Sequence, residues 1–173
     1  MSDALINVSQ PSEAIMTVKI YCVGKIKDFY KTGVDEYVKR LSSYAKIEII
    51  EVKDESIADK PSEKEIIKAK DTECSRVLKL LKPNEYLIGL DLNKKELGSV
   101  EFSKYLEDKL NSNGASISFV IGGSYGLSDE LKKRVNDSLS FSKMTFPHQL
   151  ARLILLEQIY RAFKILNNET YHK

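Results

Sequence analysis

At 173 residues and 42% hydrophobic content, the chain has room for one domain built around one core and reads as an ordinary soluble protein. Its 27 basic and 25 acidic residues leave a net charge of +2, so no global field marks a polyanionic partner and any nucleic-acid contact must come from a local patch. Cys22 and Cys74 fall in separate predicted elements, with no CxxC motif and no partnered histidine pair, which argues against a disulfide framework and against a metal site.

Residues 1–15 (MSDALINVSQPSEAI) are polar and aperiodic and stand before a second methionine, Met16. They are expected to form a flexible extension outside the fold, and they lack the basic and apolar regions of a secretory leader. No stretch reaches the ~18 uninterrupted apolar residues that span a bilayer, so a cytoplasmic protein with no membrane partner is expected. Thr17 to Val23 (TVKIYCV) has the β-branched, apolar pattern of a strand and ends at Gly24. A helix up to about Tyr44 follows, with Val34, Tyr37, Val38 and Leu41 on one face. Lys46 to Val52 repeats the strand pattern. After an acidic, proline-containing loop, Ser62 with Glu65 makes a capping box opening a helix to about Leu81, its apolar positions Ile66, Ala69, Val77 and Leu81 at helical spacing. Glu85 to Asp91 reads as a buried strand, Ser99 to Leu110 as a helix, and Ser116 to Ile121 as a second buried strand. Ser128 is placed to cap a short helix, Leu139 to Ser142 suits a short last strand, and from Pro147 the chain is helical to about Leu166. Strand alternating with helix predicts an α/β fold, a parallel β-sheet flanked by helices, in a single domain over 16–173.

Of the 17 residues from Leu150 to Leu166, twelve are Leu, Ile, Ala, Phe or Tyr. One helix face cannot hold them all, so this helix is either sheathed on several sides within its own chain or is the seam of a symmetric dimer, the preferred account.

The chemistry-bearing residues gather in the last third. Gly122-Gly123-Ser124-Tyr125-Gly126 lies between a predicted strand and a predicted helix and matches the G-x-S-x-G nucleophile elbow, with Asp137 and His148 following in hydrolase order. Only 24 residues separate Ser124 from His148, however, and the elbow fold needs more strands than this chain supplies. A glycine-rich turn at the carboxyl edge of a parallel sheet more often lets a cofactor approach the backbone, although neither the dinucleotide fingerprint nor a P-loop is present. Ser138 to Gln149 is a polar, hydroxyl-rich loop running into the apolar helix. His148 at that helix start reads either as an acid, base or anion donor or as a surface capping residue. Arg152 and Arg161 each interrupt an apolar run, and each must snorkel, pair with an acid such as Glu157, or hold an anion at an interface. The terminal Tyr171, His172 and Lys173 are residue types that stack on a base and contact phosphate, although most C-terminal tails fray.

VGK near the start, LIGLD, FVIGGSYGL, SFSKMTFPHQLARLILLEQIYRAFKI and a terminal YHK together resemble the small SPOUT-superfamily (trefoil-knot) methyltransferases of 23S ribosomal RNA, specifically the pseudouridine N3-methyltransferase family of helix 69. The resemblance covers about residues 16 to 173. It implies a homodimeric enzyme that uses S-adenosylmethionine, carries a C-terminal trefoil knot, and acts on 23S rRNA in the 70S ribosome or large subunit. By motif matching it assigns the cofactor pocket to Leu90, Gly122, Phe141, Ser142, Lys143, Met144, Thr145 and Phe146. His148 or His172 is expected to take the acceptor proton, Arg152 to orient the nucleotide, and Tyr171, His172 and Lys173 to meet RNA. Lys25, Lys27, Lys31, Lys143, Arg152 and Lys173 are candidates for a local basic patch near the site, the alternative being ordinary solvated lysines. A non-catalytic ribosome-binding factor and a small serine hydrolase using Ser124 are the competing readings.

Overall fold

The structure, a computed structural model, describes residues 15–173. The extension expected over residues 1–15 therefore lies, except for the exposed Ile15, outside the described residues. Among the described residues strand and helix alternate without exception: β1 (Thr17–Val23), α1 (Asp28–Leu41), β2 (Lys46–Val52), α2 (Glu63–Leu80), β3 (Leu87–Glu96), α3 (Ser99–Ser112), β4 (Ser116–Ile121), α4 (Asp129–Arg134), β5 (Asp137–Ser140) and α5 (His148–Leu166). The strands form one sheet in the order β2-β1-β4-β3-β5, with every pair parallel.

Both sheet faces are covered, which is why the central strands read as almost continuous apolar runs. Val18, Ile20 and Cys22 of β1 and Ile117, Phe119 and Ile121 of β4 join a core with α1, α3 and α5. Tyr21 and Val23 of β1 and Val120 of β4 point to the other face, where Cys74 and Val77 of α2 and Leu131 of α4 meet them. The expected caps are in place. Ser62 Oγ accepts the Glu65 N–H at 3.2 Å, and Ser128 Oγ accepts the Leu131 N–H at 3.2 Å.

Two strands differ from their sequence-based limits. β3 runs on to Glu96, because its exposed end pairs with β5 after a register shift between Leu90 and Lys95, and exposed residues there give no apolar signal. β5 starts earlier, at Asp137, since neighbouring Asn136 is bonded on both sides of Leu87: its N–H to the Leu87 carbonyl at 2.8 Å and its Oδ1 from the Leu87 N–H at 2.8 Å. The chain then leaves the sheet at Phe141.

Helix α5 packs against α1, α3 and β4, so its own chain covers several of its sides. Leu155, Leu156, Ile159, Ala162 and Phe163 are buried, while Leu150, Leu153, Ile154 and Ile165 remain half-buried. At its crossing with α1, a Cβ on Gly33 would stand 3.0 Å from Leu153 Cδ1, so the two helices approach too closely for any larger residue without adjustment.

Candidate active site

Residues within β3 and the loops that follow β4 and β5 line a cleft of about 750 Å³, which also reaches the first turn of α5. Leu90, Asp91 and Leu92 come from β3, Gly122 to Gly126 follow β4, and Phe141, Ser142, Met144, Thr145, Phe146 and Pro147 come from the loop after β5. A neighbouring cavity of about 290 Å³ shares Leu90, Leu139, Phe141, Ser142 and Phe146 and extends between α3 and α5. The two phenylalanines therefore stand between the cavities. Seven of the eight residues assigned to a cofactor pocket line the larger cleft; the exposed Lys143 does not.

The glycine turn owes its composition to its own closure. A Cβ on Gly122 would fall 2.5 Å from the Gly126 carbonyl carbon, and Gly126 itself has φ +83, where a side chain is strained. The Gly126 N–H donates to the Gly123 carbonyl at 3.0 Å, and the two residues form an isolated bridge. The turn's glycines thus have a structural cause before any ligand is considered.

His148 is the first residue of α5, half-buried on the cleft wall. Burial, assisted by the nearby charges of Arg152 and Lys27 and opposed by Asp54, holds its imidazole below the usual histidine range, so it is neutral at pH 7. A neutral imidazole in a cleft is able to accept a proton.

Arg152 is not where the sequence suggested. It is 1% exposed, donating from Nη1 to Glu51 Oε2 at 2.6 Å and from Nη2 to the Gly24 carbonyl at 3.1 Å. Glu51 Oε2 also accepts the Ile26 N–H at 3.0 Å, and buried Gln149 accepts the Lys27 N–H at 2.6 Å. Arg152 and Gln149 thereby fasten the turn between β1 and α1 to the start of α5. To orient a nucleotide directly, as expected from the sequence, Arg152 would have to give up these internal partners.

The tail is docked on its own chain. Tyr171 OH lies 3.3 Å from Tyr37 OH and donates to Glu157 Oε1 at 3.1 Å, its ring standing edge-on to Tyr160. Arg161 covers the Tyr171 ring, pairs with Glu157 at 2.6 Å, and reaches His172 Nδ1 at 3.1 Å. Glu157 and Arg161 follow His148 by nine and thirteen residues, about 14 and 20 Å along a helix. Within one chain, His172 and His148 are therefore well separated.

A hydrolase arrangement is absent among the described residues. Asp137 is engaged by the Tyr105 hydroxyl at 2.7 Å, and Ser124 is exposed.

Sequence reasoning missed Gln149 and Glu73. Glu73 is buried on α2, with Oε2 accepting the Glu55 N–H at 2.9 Å and Oε1 only 3.0 Å from the position of a Cβ on Gly123. A signal was present: Glu73 stands four residues from both Ala69 and Val77, an acid inside an apolar stripe.

A family model described as "Predicted SPOUT methyltransferase" matches residues 16–172. Among similar proteins, the ribosomal RNA large subunit methyltransferase H 1 of Clostridium perfringens is 51% identical over 159 residues, covering 91% of this chain and 100% of the relative. The ribosomal RNA large subunit methyltransferases H of Clostridium botulinum and Enterococcus faecalis are 53% and 49% identical, again over 91% of this chain and 100% of each relative. A solved tRNA (m1G37) methyltransferase from Aquifex aeolicus superposes with a TM-score of 0.46 at 13% identity, over 84% of this chain and 69% of that one. About half of the aligned positions are thus shared with proteins that are matched over their full length. The chain belongs to the SPOUT methyltransferases, and within them to the ribosomal RNA large subunit methyltransferase H family.

Proposed function

We propose that this chain transfers a methyl group from S-adenosylmethionine to N3 of a pseudouridine in helix 69 of 23S rRNA, acting on the 70S ribosome or large subunit as a cytoplasmic homodimer. The observation that carries the reading is a cleft at the carboxyl edge of the sheet with His148 on its wall, in a chain about half identical to large-subunit rRNA methyltransferases.

The cleft's residues fit the donor. Leu90, Met144 and Phe146 offer apolar walls, and the loop backbones of 122–126 and 141–147 offer the donors and acceptors that recognise an adenine edge. Bound there, S-adenosylmethionine supplies an electrophilic methyl carbon on a sulfonium. The chain's own contribution is to hold acceptor and donor in line and to receive the imide proton as the N3–carbon bond forms. His148 is the residue proposed to accept that proton or to steady the developing charge, its imidazole becoming imidazolium.

Dimerisation and the tail belong to the same proposal. The half-buried Leu150, Leu153 and Ile154 supply an apolar strip along α5 for a second copy. A partner whose tail faces this cleft would bring Tyr171, His172 and Lys173 to His148, which their own chain holds far from them. The trefoil knot is likewise proposed over the C-terminal third, where the chain leaves edge strand β5 and returns to lie between α1 and α3.

The test is methyl incorporation into ribosomes from a strain lacking this protein, with mass-spectrometric location of the product. A single N3-methylated pseudouridine in helix 69 is the expected product; ribosome binding without methyl transfer would instead make the chain a non-catalytic ribosome-binding factor.

A further inference from the structure

One buried carboxylate has no role in the chemistry above. Glu73 is 5% exposed, and no lysine, arginine or histidine forms an ion pair with it among the described residues. The nearby Arg76 is committed elsewhere, to Glu55 and to the Lys53 carbonyl at 2.6 Å. Only Oε2 of Glu73 receives a protein hydrogen bond, the Glu55 N–H at 2.9 Å. Oε1 lies 3.0 Å from where a Cβ on Gly123 would stand, so it sits directly behind a residue that lines the cleft, although Glu73 itself does not line it. The adjacent Cys74 secures the same turn, its Sγ accepting the Ser128 N–H at 3.3 Å and lying 4.0 Å from the Gly126 carbonyl.

An unpaired charge is costly to bury, and a cationic ligand in the neighbouring cleft would offset that cost. We propose that Glu73 is a positioning residue of the donor subsite, giving the cleft, through the backbone of Gly123, its preference for a cationic sulfonium over a neutral thioether. The inference rests on the proposed use of S-adenosylmethionine. Donor and demethylated product share their adenosine and amino-acid parts and differ by the methyl group and the sulfur's positive charge. A carboxylate behind the turn therefore favours the donor, and its attraction falls away once the methyl group has gone, which aids product release.

The experiment is calorimetric titration at pH 8 of the intact protein and its Glu73→Gln and Glu73→Asp variants with S-adenosylmethionine and S-adenosylhomocysteine. The Gln variant retains an oxygen for the Glu55 N–H, so the fold is preserved while the charge is lost. The expected result is about tenfold weaker donor binding with product binding changed by less than about twofold, and a preference largely retained in the Asp variant. Equal losses for both ligands, or no loss, would overturn the inference by reducing Glu73 to a prop for the turn. If Glu73→Gln does not fold, Gly123→Ala, whose Cβ would stand 3.0 Å from Oε1 and force the carboxylate back, is titrated in its place and must lose the same preference. A wild-type chain that binds neither ligand would instead overturn the donor assignment and this inference with it.

Discussion

Two carboxylates on the α2 and α4 side of the sheet, Glu85 and Glu73, illustrate opposite uses of burial. Glu85, ahead of β3, accepts from the Tyr21 hydroxyl at 2.9 Å, the Ser118 hydroxyl at 2.9 Å and the Lys82 N–H at 3.1 Å, with Lys19 at 3.8 Å. Burial alone would raise its carboxyl, but these hydrogen bonds and the lysine charge outweigh it and hold the group below the usual range. Glu73, beneath the glycine turn, has one N–H donor and two acidic neighbours, Asp54 and Glu55; burial dominates and pushes its carboxyl upward. A satisfied carboxylate serves the fold, whereas an unsatisfied one beside a cleft is a stability cost retained for a ligand. Changes around the Glu85 network should accordingly move stability, and changes around the cleft should move binding and rate.

The largest effect expected is at His148. Its Ala variant should lose about 10²–10⁴-fold in single-turnover methyl transfer, the range for removal of a proton acceptor. Donor affinity and Tm should stay near wild type. A wild-type rate in both His148→Ala and His172→Ala would remove the proton-acceptor role from these residues. Arg152 tests the boundary between the two regions, since it lies near the cleft yet its two terminal nitrogens bond inside the protein while its buried Nε has no partner. Arg152→Met should cost about 2–4 kcal/mol, because it breaks a buried pair whose acidic partner keeps some solvent. The same substitution removes a positive charge beside His148, so the imidazole pKa should rise in an NMR titration. Unchanged stability together with lost ribosome affinity would restore the nucleotide contact that its burial argues against. Glu85→Ala should cost less, about 2 kcal/mol, by leaving hydroxyl donors without their acceptor. For a chain of this size that is a fall in Tm of roughly 4–8 °C. Donor affinity should not change, and a loss of donor binding in that variant would break the comparison.

The fold was legible because it rests on periodicity. Strands buried on both faces read as apolar runs, serine caps announced α2 and α4, and the cleft loops carried their own glycine and hydroxyl signatures. The partners of polar residues were not legible, since they depend on contacts that no local pattern encodes. Of the options open to the arginines of α5, snorkelling, pairing or holding an anion, both pair within the chain, yet only Arg161 pairs with Glu157, four residues away, while Arg152 reaches Glu51 across 101 residues. The position of Glu73 beneath Gly123 is likewise a tertiary fact, visible in the sequence only as a charge interrupting an apolar stripe.

The smallest effect provides the sharpest contrast, because the two carboxylates should respond to pH with opposite sign. Both start from an ordinary value near 4.5. Glu73 titrates higher in the folded chain, so above 4.5 the folded state holds a proton that the unfolded state has released. Its contribution is complete below 4.5 and is lost as pH rises through the folded value. Glu73→Gln escapes that loss and should be more stable than wild type at pH 7, with the gain vanishing near pH 4. Glu85 titrates lower in the folded chain, so its contribution is present above 4.5 and disappears as pH falls through the folded value. Glu85→Gln should therefore be less stable than wild type at pH 7, and the gap should close under acid. Each difference is of the order of 1 kcal/mol, the scale of a single hydrogen bond, and is measurable by urea denaturation at pH 7 and pH 4. Two differences of the same sign would mean that hydrogen bonding does not separate the carboxylates, and Glu73 would lose its claim to be held in reserve for a cationic ligand.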